Sequence, residues 1–346
     1  MSDMMKAAMF MGPGRMEVEE VPKARVEQPT DAMIRMVRTC VCGSDLWYFR
    51  GLSEHAVHSQ IGHEGIGVIE EVGSEVTDFK VGDFVVVPFP YSCGTCPVCR
   101  AGFESCCPHG GYFGANQAEY ARVPEADGTL VKVPGSPEDY DDATLASLLT
   151  ISDVMSTGYH AAVSAEVKPG DTAVVMGDGA VGLCGVIGAK MLGAERIIAM
   201  SRHEDRAALA LEFGATDVVA ERDQAAIDKV LGMTGGYGAD AVLECVGSKQ
   251  SFDTAVGLAR AGAVIGRVGL PHDVTISAEG SFYRNLGIKG GPAPVRHYDL
   301  NGLLDAVLNH EINPGRVFTA EYDLDHIQDA YDAMDQRKVI KSLIRF

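Results

Sequence analysis

Four cysteines lie close together in the sequence with a spacing typical of a zinc site. They are Cys93, Cys96, Cys99 and Cys107, in the pattern C-x2-C-x2-C-x7-C. This spacing lets four thiolates surround one cation, as a closed tetrahedral zinc site requires. The alternative is a disulfide pair or chance clustering, but a chain without a secretory pattern is expected to keep its thiols reduced. Because four sulfurs leave no position for a substrate, we predict a structural zinc here and chemistry elsewhere.

A glycine-rich motif follows the apolar run at residues 173–176. It has the form G-x-G-x-x-G and consists of Gly177, Asp178, Gly179, Ala180, Val181 and Gly182. The motif alone is weak, but a strand before it and a helix after it are the context of a dinucleotide site. Its glycines permit a tight turn, close approach of a pyrophosphate and close helix packing, and the helix N-terminus supplies N–H groups. The alternative is a glycine-rich turn with another ligand.

The next predicted strand ends at Ser201 and Arg202, where a site for NAD would place an acidic residue. A hydroxyl and a guanidinium suit a ribose 2′-phosphate instead. Glu204, Asp205 and Glu221 lie nearby in the sequence and would weaken this preference, and Arg202 could also be a solvated surface residue. We predict NADP as the cofactor, with NAD as the alternative.

The elements that must position these residues follow two patterns. The first 150 residues contain short strand-like runs broken by turns, for example at 34–36, 68–72 and 84–87. From about residue 153, apolar runs alternate with helical stretches, which predicts a parallel sheet with helices on both faces. The runs are at 172–176, 196–200, 239–244 and 263–269, and the helices at 181–192 and 205–213. A last helix is predicted at 325–334 and a last strand at 340–344.

Length and charge limit the classes of function. A chain of 346 residues has room for about two domains. Its formal net charge of -19 argues against nucleic acid or an anionic membrane as a partner. The first 14 residues show no signal-peptide pattern, and the most apolar stretch, 179–189, is about half the ~20 residues that span a bilayer. We therefore expect a cytoplasmic protein.

Two further turns each carry one candidate zinc ligand, Cys42 in Cys-Gly-Ser-Asp and His63 in Gly-His-Glu-Gly. Neither is specific alone. Together with the cysteine cluster and the glycine motif, they resemble the zinc-dependent alcohol dehydrogenases of the medium-chain dehydrogenase/reductase superfamily, in order and over essentially the whole chain. The resemblance implies an α/β fold: a GroES-like β-rich catalytic domain at 1–152 and 291–346, and a Rossmann domain with a doubly wound parallel sheet at 153–290.

The resemblance also implies the chemistry. A catalytic zinc would be held by Cys42, His63 and Asp153 with one open position, making two zinc ions per chain. Hydride would pass between a primary or secondary alcohol, polyols included, and NADP, giving an aldehyde or ketone. A homo-oligomer, dimer or tetramer, is expected. The rival interpretations are a zinc-independent quinone or enone reductase of the same fold and a non-catalytic zinc- and nucleotide-binding protein.

Several residues match positions with known roles in that family. Ser44 matches the hydroxyl that takes the alcohol proton, Asp45 a carboxylate that orients His63, and Glu64 a glutamate near the zinc with an alternative role as ligand. The resemblance implies cofactor contacts for Thr157, Val268, Gly269, Leu270 and Lys341.

One position departs from the family pattern. Trp47 stands where many relatives carry the histidine that ends the proton relay, and indole cannot accept a proton. We expect the relay to reach water directly or to use His55 or His58. The aromatic run from Trp47 to Phe49 could form a wall of the substrate pocket, although core packing is the more usual role.

Overall fold

The structure is a computed structural model that describes residues 3–272 and 274–346. These fall into two compact units, Met1–Asp153 with Pro294–Phe346, and Val154–Ala293. The first unit thus takes both ends of the chain. Asp153 groups with the first unit, whereas the sequence prediction began the second unit with it.

The N-terminal part of the first unit is rich in strands. These are β1 (Met4–Gly12), β2 (Arg15–Pro22), β3 (Ala32–Cys40), β4 (Ser59–Gln60), β5 (Gly65–Val72), β6 (Phe84–Val87), β7 (Pro90–Tyr91), β8 (Gly111–Tyr112), β9 (Tyr120–Val123) and β10 (Val131–Val133). Short helices interrupt them: α1 (Asp45–Phe49), α2 (Pro97–Arg100), α3 (Ala126–Thr129) and α4 (Asp142–Thr150).

The second unit alternates strands and helices, as the sequence predicts. Its strands are β11 (Thr172–Met176), β12 (Arg196–Met200), β13 (Asp217–Val219), β14 (Ala239–Glu244), β15 (Ala259–Arg267) and β16 (Gly287–Gly290). Its helices are α5 (Val154–Ser164), α6 (Ala180–Met191), α7 (Glu204–Phe213), α8 (Asp223–Met233), α9 (Lys249–Leu258) and α10 (Ala278–Arg284).

The chain then returns to the first unit. It forms α11 (Val295–Tyr298), α12 (Leu304–Leu308), β17 (Phe318–Asp323), α13 (Ile327–Asp335) and β18 (Lys341–Arg345). β18 pairs antiparallel with β3, so that the C-terminal strand joins the central sheet of the first unit. That sheet has the order β10-β6-β5-β3-β18-β17, and β9 also pairs with β3.

The sheet of the second unit is parallel, with the order β13-β12-β11-β14-β15-β16. The strand order reverses between β11 and β14, so their carboxyl ends flank the crevice where such folds bind ligands. Val174, Ile198, Val242 and Ile265 are fully buried in its core. Burial on both faces explains why these strands are continuous apolar runs in the sequence. The predicted fold class is confirmed.

Among the element predictions whose ends differ from the structure, two have a hydrogen bond that accounts for the difference. The strand predicted at 263–269 is β15, which ends at Arg267 because the Val268 and Gly269 amides both donate to the Glu244 carbonyl at 3.0 Å. The predicted helix at 325–334 begins as a tight 3-10 turn, Leu324–His326, and becomes α-helical only from Ile327. The Asp323 carboxylate accepts the His326 amide at 3.1 Å, which holds this first turn.

Candidate zinc and dinucleotide sites

The four-cysteine cluster is assembled by one small lobe of the first unit. Proline at the start of α2 suits its first helical position, and the Cys96 sulfur caps this helix by accepting the Cys99 amide at 3.5 Å. The distances between sulfurs are 3.5 Å for Cys96–Cys99, 3.9 Å for Cys96–Cys107 and 3.6 Å for Cys93–Cys107. They are too long for disulfide bonds and near the roughly 3.8 Å edge of a tetrahedron with Zn–S bonds of about 2.3 Å. The donors and their spacing fit a zinc ion.

Electrostatics in this lobe favour a thiolate at one cysteine before any metal binds. Burial acts against ionisation of Cys93, but amide donors from Thr95 and Cys96 lower the pKa of its thiol to about 6. By contrast, burial and neighbouring thiols raise the pKa of Cys99 to about 12. A bound cation would therefore have to displace protons from the lobe.

A second group of metal-binding donors comes from three separate segments of the first unit. Cys42 follows β3, His63 and Glu64 precede β5, and Asp153 follows α4. One ligand atom from each of the four lies within 4.8 Å of the others. The Asp153 Oδ2 atom lies 3.3 Å from His63 Nε2 and 3.6 Å from Cys42 Sγ.

These separations match a tetrahedral zinc site. With Zn–N and Zn–O bonds of about 2.0–2.1 Å and a Zn–S bond of about 2.3 Å, neighbouring donors are expected roughly 3.3–3.6 Å apart. The other ring nitrogen of His63, Nδ1, lies 3.4 Å from Asp45 Oδ1, so Nε2 is the nitrogen that faces the other donors. A thiolate, an imidazole and a carboxylate could hold a zinc ion and leave a fourth position open.

Lys341 is buried beside Glu64 in the first unit. Its ammonium is 1% exposed in the first unit, 2.7 Å from Glu64 Oε1 and 3.1 Å from the Val41 carbonyl. Burial alone would lower the pKa of Lys341, but Cys40, Glu64 and Cys42 beside it raise the pKa well above its usual range. In this structure Lys341 neutralises the buried Glu64, and its expected contact with a cofactor phosphate stays a prediction.

The structure places the candidate proton-relay residues as follows. Ser44 is half-buried directly before α1, one residue from Asp45. The His55 ring lies 4.7 Å from the Tyr48 ring, and its Nε2 atom is 3.1 Å from the Ser59 hydroxyl. His58 lies at the surface, with Nε2 2.8 Å from Glu19 Oε2. His58 thus has a surface carboxylate as its partner, and His55 lines a groove of about 610 Å³ together with Tyr48.

The glycine motif forms the turn from β11 into α6 that the sequence predicts. Gly177 has φ of +107°, which disfavours other residues. A Cβ on Gly182 would lie 1.9 Å from the Gly177 carbonyl oxygen, so the helix can pack only without one. Among the described residues, no atom lies within 4 Å of where a Cβ on Gly179 would be, so a ligand could approach the backbone there.

Ser201 lies beside this turn, and it has partners there that the sequence did not predict. The Ser201 hydroxyl donates to Asp178 Oδ2 at 2.8 Å. Arg206, in the first turns of α7, donates to the Asp178 carbonyl at 3.2 Å and lies 3.5 Å from Asp178 Oδ1. Arg202 itself is exposed. Arg206 is a cofactor-site candidate that sequence reasoning missed, because its partner lies 28 residues earlier in the chain.

The remaining predicted cofactor residues also lie in the second unit. Thr157 is buried in α5, and Leu270 is 58% exposed after β15. Val268 and Gly269 are tied to the Glu244 carbonyl, as described above. The Glu244 carboxylate, fully buried, accepts the amides of Val246 and Gly247 at 3.0 and 2.9 Å. The sequence does hold a signal for this role of Glu244, because Glu244 is a charged residue within the apolar run 241–246.

Comparison with known proteins agrees with the two-unit architecture. Residues 28–135 match the family described as alcohol dehydrogenase GroES-like domain, and residues 180–307 match the zinc-binding dehydrogenase family. The chain is 33% identical to zinc-type alcohol dehydrogenase B of Aspergillus flavus over 99% of this chain and 81% of that protein. It is 31% identical to an NADP-dependent isopropanol dehydrogenase of Clostridium beijerinckii, over 91% of this chain and 92% of the relative.

The solved structure of alcohol dehydrogenase TADH from Thermus sp. ATN1 superposes with a TM-score of 0.89 at 30% identity, covering 99% of both chains. The chain belongs to the zinc-dependent alcohol dehydrogenases of the medium-chain dehydrogenase/reductase superfamily. It is thus a member of an oxidoreductase family. Among the residues that the structure describes, no helix is both long enough and apolar enough to cross a membrane.

Proposed function

We propose that this chain oxidises a primary or secondary alcohol to an aldehyde or ketone, with NADP as hydride acceptor and zinc bound by Cys42, His63 and Asp153. The observation that carries the proposal is that Asp153 Oδ2 lies 3.3 Å from His63 Nε2 and 3.6 Å from Cys42 Sγ, the separations expected around zinc. The zinc-independent reductases that share this fold have no need of such a set. A second zinc would be held by the cysteine lobe, giving two per chain.

The residues of this site would have separate roles in the reaction. When bound, zinc would supply Lewis-acid stabilisation of negative charge on the alcohol oxygen, and NADP would supply the acceptor for the hydride. The Ser44 hydroxyl would accept the alcohol proton while it releases its own proton towards solvent. Asp45 fixes the orientation of the His63 ring through Nδ1. The buried Lys341–Glu64 pair keeps one more carboxylate beside the metal without adding net charge.

The preference for NADP over NAD is proposed from Ser201 and Arg206, which contact Asp178, and from Arg202, which follows Ser201 in the chain. Ser201, Arg202 and Arg206 supply a hydroxyl and two guanidinium groups, against a single carboxylate. Arginine suits a phosphate because its planar fork of donors can bind two oxygens. The similarity to an NADP-dependent isopropanol dehydrogenase supports the same preference.

The proposal is tested by incubating metal-replete protein with NADP and a panel of alcohols while following the absorbance of the reduced nicotinamide. We expect alcohol-dependent NADP reduction, and its loss in His63→Ala with an unchanged circular dichroism spectrum. If no alcohol reduces NADP, the proposed activity is wrong. Reduction of an enone by NADPH that survives His63→Ala would instead favour the zinc-independent reductase.

A further inference from the structure

A buried hydrogen-bond chain runs from α13 to the ring of His63. The Tyr331 hydroxyl donates to Gln117 Oε1 at 3.0 Å. Gln117 Nε2 donates to the Cys40 carbonyl at 3.0 Å and reaches Asp45 Oδ2 at 3.4 Å. The other Asp45 oxygen, Oδ1, lies 3.4 Å from His63 Nδ1. Tyr331 and Gln117 are both fully buried, and Asp45 is 2% exposed, so water does not compete for these contacts.

The partners of Gln117 determine which way its amide points. Its NH2 group faces a carbonyl and a carboxylate, and its oxygen faces a hydroxyl that donates. If the amide were flipped, its oxygen would face two acceptors, which is unfavourable in a buried site. The backbone also holds this residue: its amide donates to the Ile61 carbonyl at 3.1 Å. The side chain packs so closely on Gly62 that a Cβ there would lie 2.5 Å from Gln117 Cγ.

Asp45 is bonded to two of the three segments that supply zinc-binding donors. Its Oδ2 atom accepts the Cys42 amide at 2.9 Å, and its Oδ1 atom contacts the His63 ring. The position of this one carboxylate therefore affects both the Cys42 loop and the His63 imidazole. The Gln117 amide bridges Asp45 to the Cys40 carbonyl, two residues before Cys42.

We propose that Gln117 and Tyr331 are positioning residues of the catalytic zinc centre, which hold Asp45 so that it sets the Cys42 thiolate and the His63 imidazole. This inference rests on the proposed zinc site at Cys42, His63 and Asp153. Groups that orient metal ligands typically change metal affinity by about 10–100-fold when they are removed. Gln117 acts one bond further out, and Tyr331 one bond beyond that, so their effects should decrease in this order.

The test is the affinity of the catalytic zinc, measured by competition with a chromophoric chelator after the metal of the cysteine lobe has been accounted for by elemental analysis. Gln117→Met replaces the amide with an apolar chain of similar length, and we expect it to weaken zinc binding about 10-fold, the lower end of the range for groups around metal ligands. Tyr331→Phe keeps the ring that lies 5.2 Å from the Phe49 ring, and should weaken zinc binding by a smaller factor.

Tyr140→Phe is the matched control, because it removes a tyrosine hydroxyl that donates to the Pro134 carbonyl at 2.5 Å, in the same unit. It should leave zinc affinity unchanged. A double-mutant cycle separates positioning from general destabilisation: in an Asp45→Ala background, Tyr331→Phe should cause no further loss of zinc affinity. The visible spectrum of Co²⁺ in the catalytic site should shift in Gln117→Met but not in Tyr140→Phe.

The outcomes distinguish this inference from the proposed function. If His63→Ala does not lower the zinc content, the site is not a zinc site, and both the function and the positioning role are wrong. If His63→Ala loses one zinc while Gln117→Met and Tyr331→Phe bind it as tightly as the unmutated protein, only the positioning role is overturned. An undiminished effect of Tyr331→Phe in the Asp45→Ala background would also overturn it.

Discussion

At the scale of single residues, neighbouring side chains offset the negative charge of Asp178. Its carboxylate would repel the 2′-phosphate of NADP, but it already accepts the Ser201 hydroxyl and lies 3.5 Å from the Arg206 guanidinium. Arg206 therefore offsets the charge of Asp178, and we propose that the exposed Arg202 is the group that meets the phosphate. In this arrangement the two arginines have different roles, although only Arg202 stands at the position that the sequence pattern indicates.

Arg202→Ala tests whether Arg202, and not Arg206, binds the phosphate. We expect it to weaken NADP binding by about 1.5–3 kcal/mol, the usual range for a hydrogen bond to a charged group, with little effect on NAD. Isothermal titration with both cofactors measures the difference, and Arg222→Ala, an exposed arginine elsewhere in the same unit, is the control. Equal kcat/KM for NADP and NAD in the unmutated enzyme would show that Arg202 does not select the phosphate.

Trp47 in α1 is the residue that departs from the family pattern. Because indole cannot accept a proton, a chain that lacks the usual imidazole should gain rate when one is supplied. General-base assistance is typically worth about 10²–10⁴-fold, so Trp47→His should raise alcohol oxidation near neutral pH, and Ser44→Ala should lower it sharply. A pH–rate profile with a deuterated alcohol as control for hydride transfer measures both effects. If Trp47→His only loses activity and Ser44→Ala is harmless, Trp47 is better assigned to the wall of the substrate pocket.

At the scale of elements, the cysteine lobe and the donor set at Cys42 should respond to mutation independently. Cys96 both contributes a sulfur and caps α2, so Cys96→Ser should lower the thermal midpoint and remove one zinc while the other stays bound. His63→Ala should remove the other zinc and abolish turnover with the fold intact. Elemental analysis measures the zinc content of both variants. A single zinc per chain in the metal-replete unmutated protein would contradict the two-site arrangement.

Helix α5 contains a histidine that makes stability depend on pH. Burial lowers the pKa of His160 to about 4, below its usual value of 6.5, so the unfolded chain binds more protons between these values. Stability should therefore be fully present above pH 6.5 and be lost as the pH falls towards 4, by about 3 kcal/mol.

Urea unfolding of His160→Gln at several pH values should show a weaker loss of stability on the acid side than the unmutated protein. His326→Gln is the control, because a hydrogen bond to Asp323 raises the pKa of His326 and gives its contribution the opposite sign. A His160→Gln variant with the same acid-side slope as the unmutated protein would contradict the assignment.

Local patterns predicted the elements that lie within one short stretch of chain. The runs at 172–176, 196–200 and 239–244 are strands with those bounds in the structure. Burial on both faces makes such strands distinct from their surroundings in the sequence. The ends of β15 and α13 were less accurate, because hydrogen bonds to Glu244 and Asp323 set them, and a window of hydrophobicity does not detect such partners.

At the scale of the whole molecule, the sequence did not predict the contacts between residues that lie far apart in the chain. Tyr331 and Gln117 are 214 residues apart, and Lys341 and Glu64 are 277 apart. Both pairs form because β18 and α13 return to the first unit after the second unit is complete. The strand pairing of β18 with β3 brings the Lys341 side chain beside the buried Glu64, which no local sequence pattern indicates.

We predict that the protein is a homo-oligomer, because the sheet of the second unit has an edge strand that a second copy could pair with. β16 is the terminal strand of its sheet, and an edge strand presents N–H and C=O groups that a second copy can pair. Nearby in the chain, Phe282 and Tyr283 on α10 are 77% and 79% exposed, which is unusual for large apolar side chains. Light scattering after size exclusion should give two or four times the chain mass.

Phe282→Asp with Tyr283→Asp should shift this assembly towards the monomer, because two carboxylates would then be buried at the interface without partners. The control is Leu211→Asp, which adds a charge at a residue of the same unit that is 49% exposed on α7, and it should leave the assembly unchanged. Because the chain carries a net charge of -19, repulsion between copies weakens as salt screens it, so the dimer fraction should rise with ionic strength. A monomer at micromolar concentration in both low and high salt would show that this edge is not an interface.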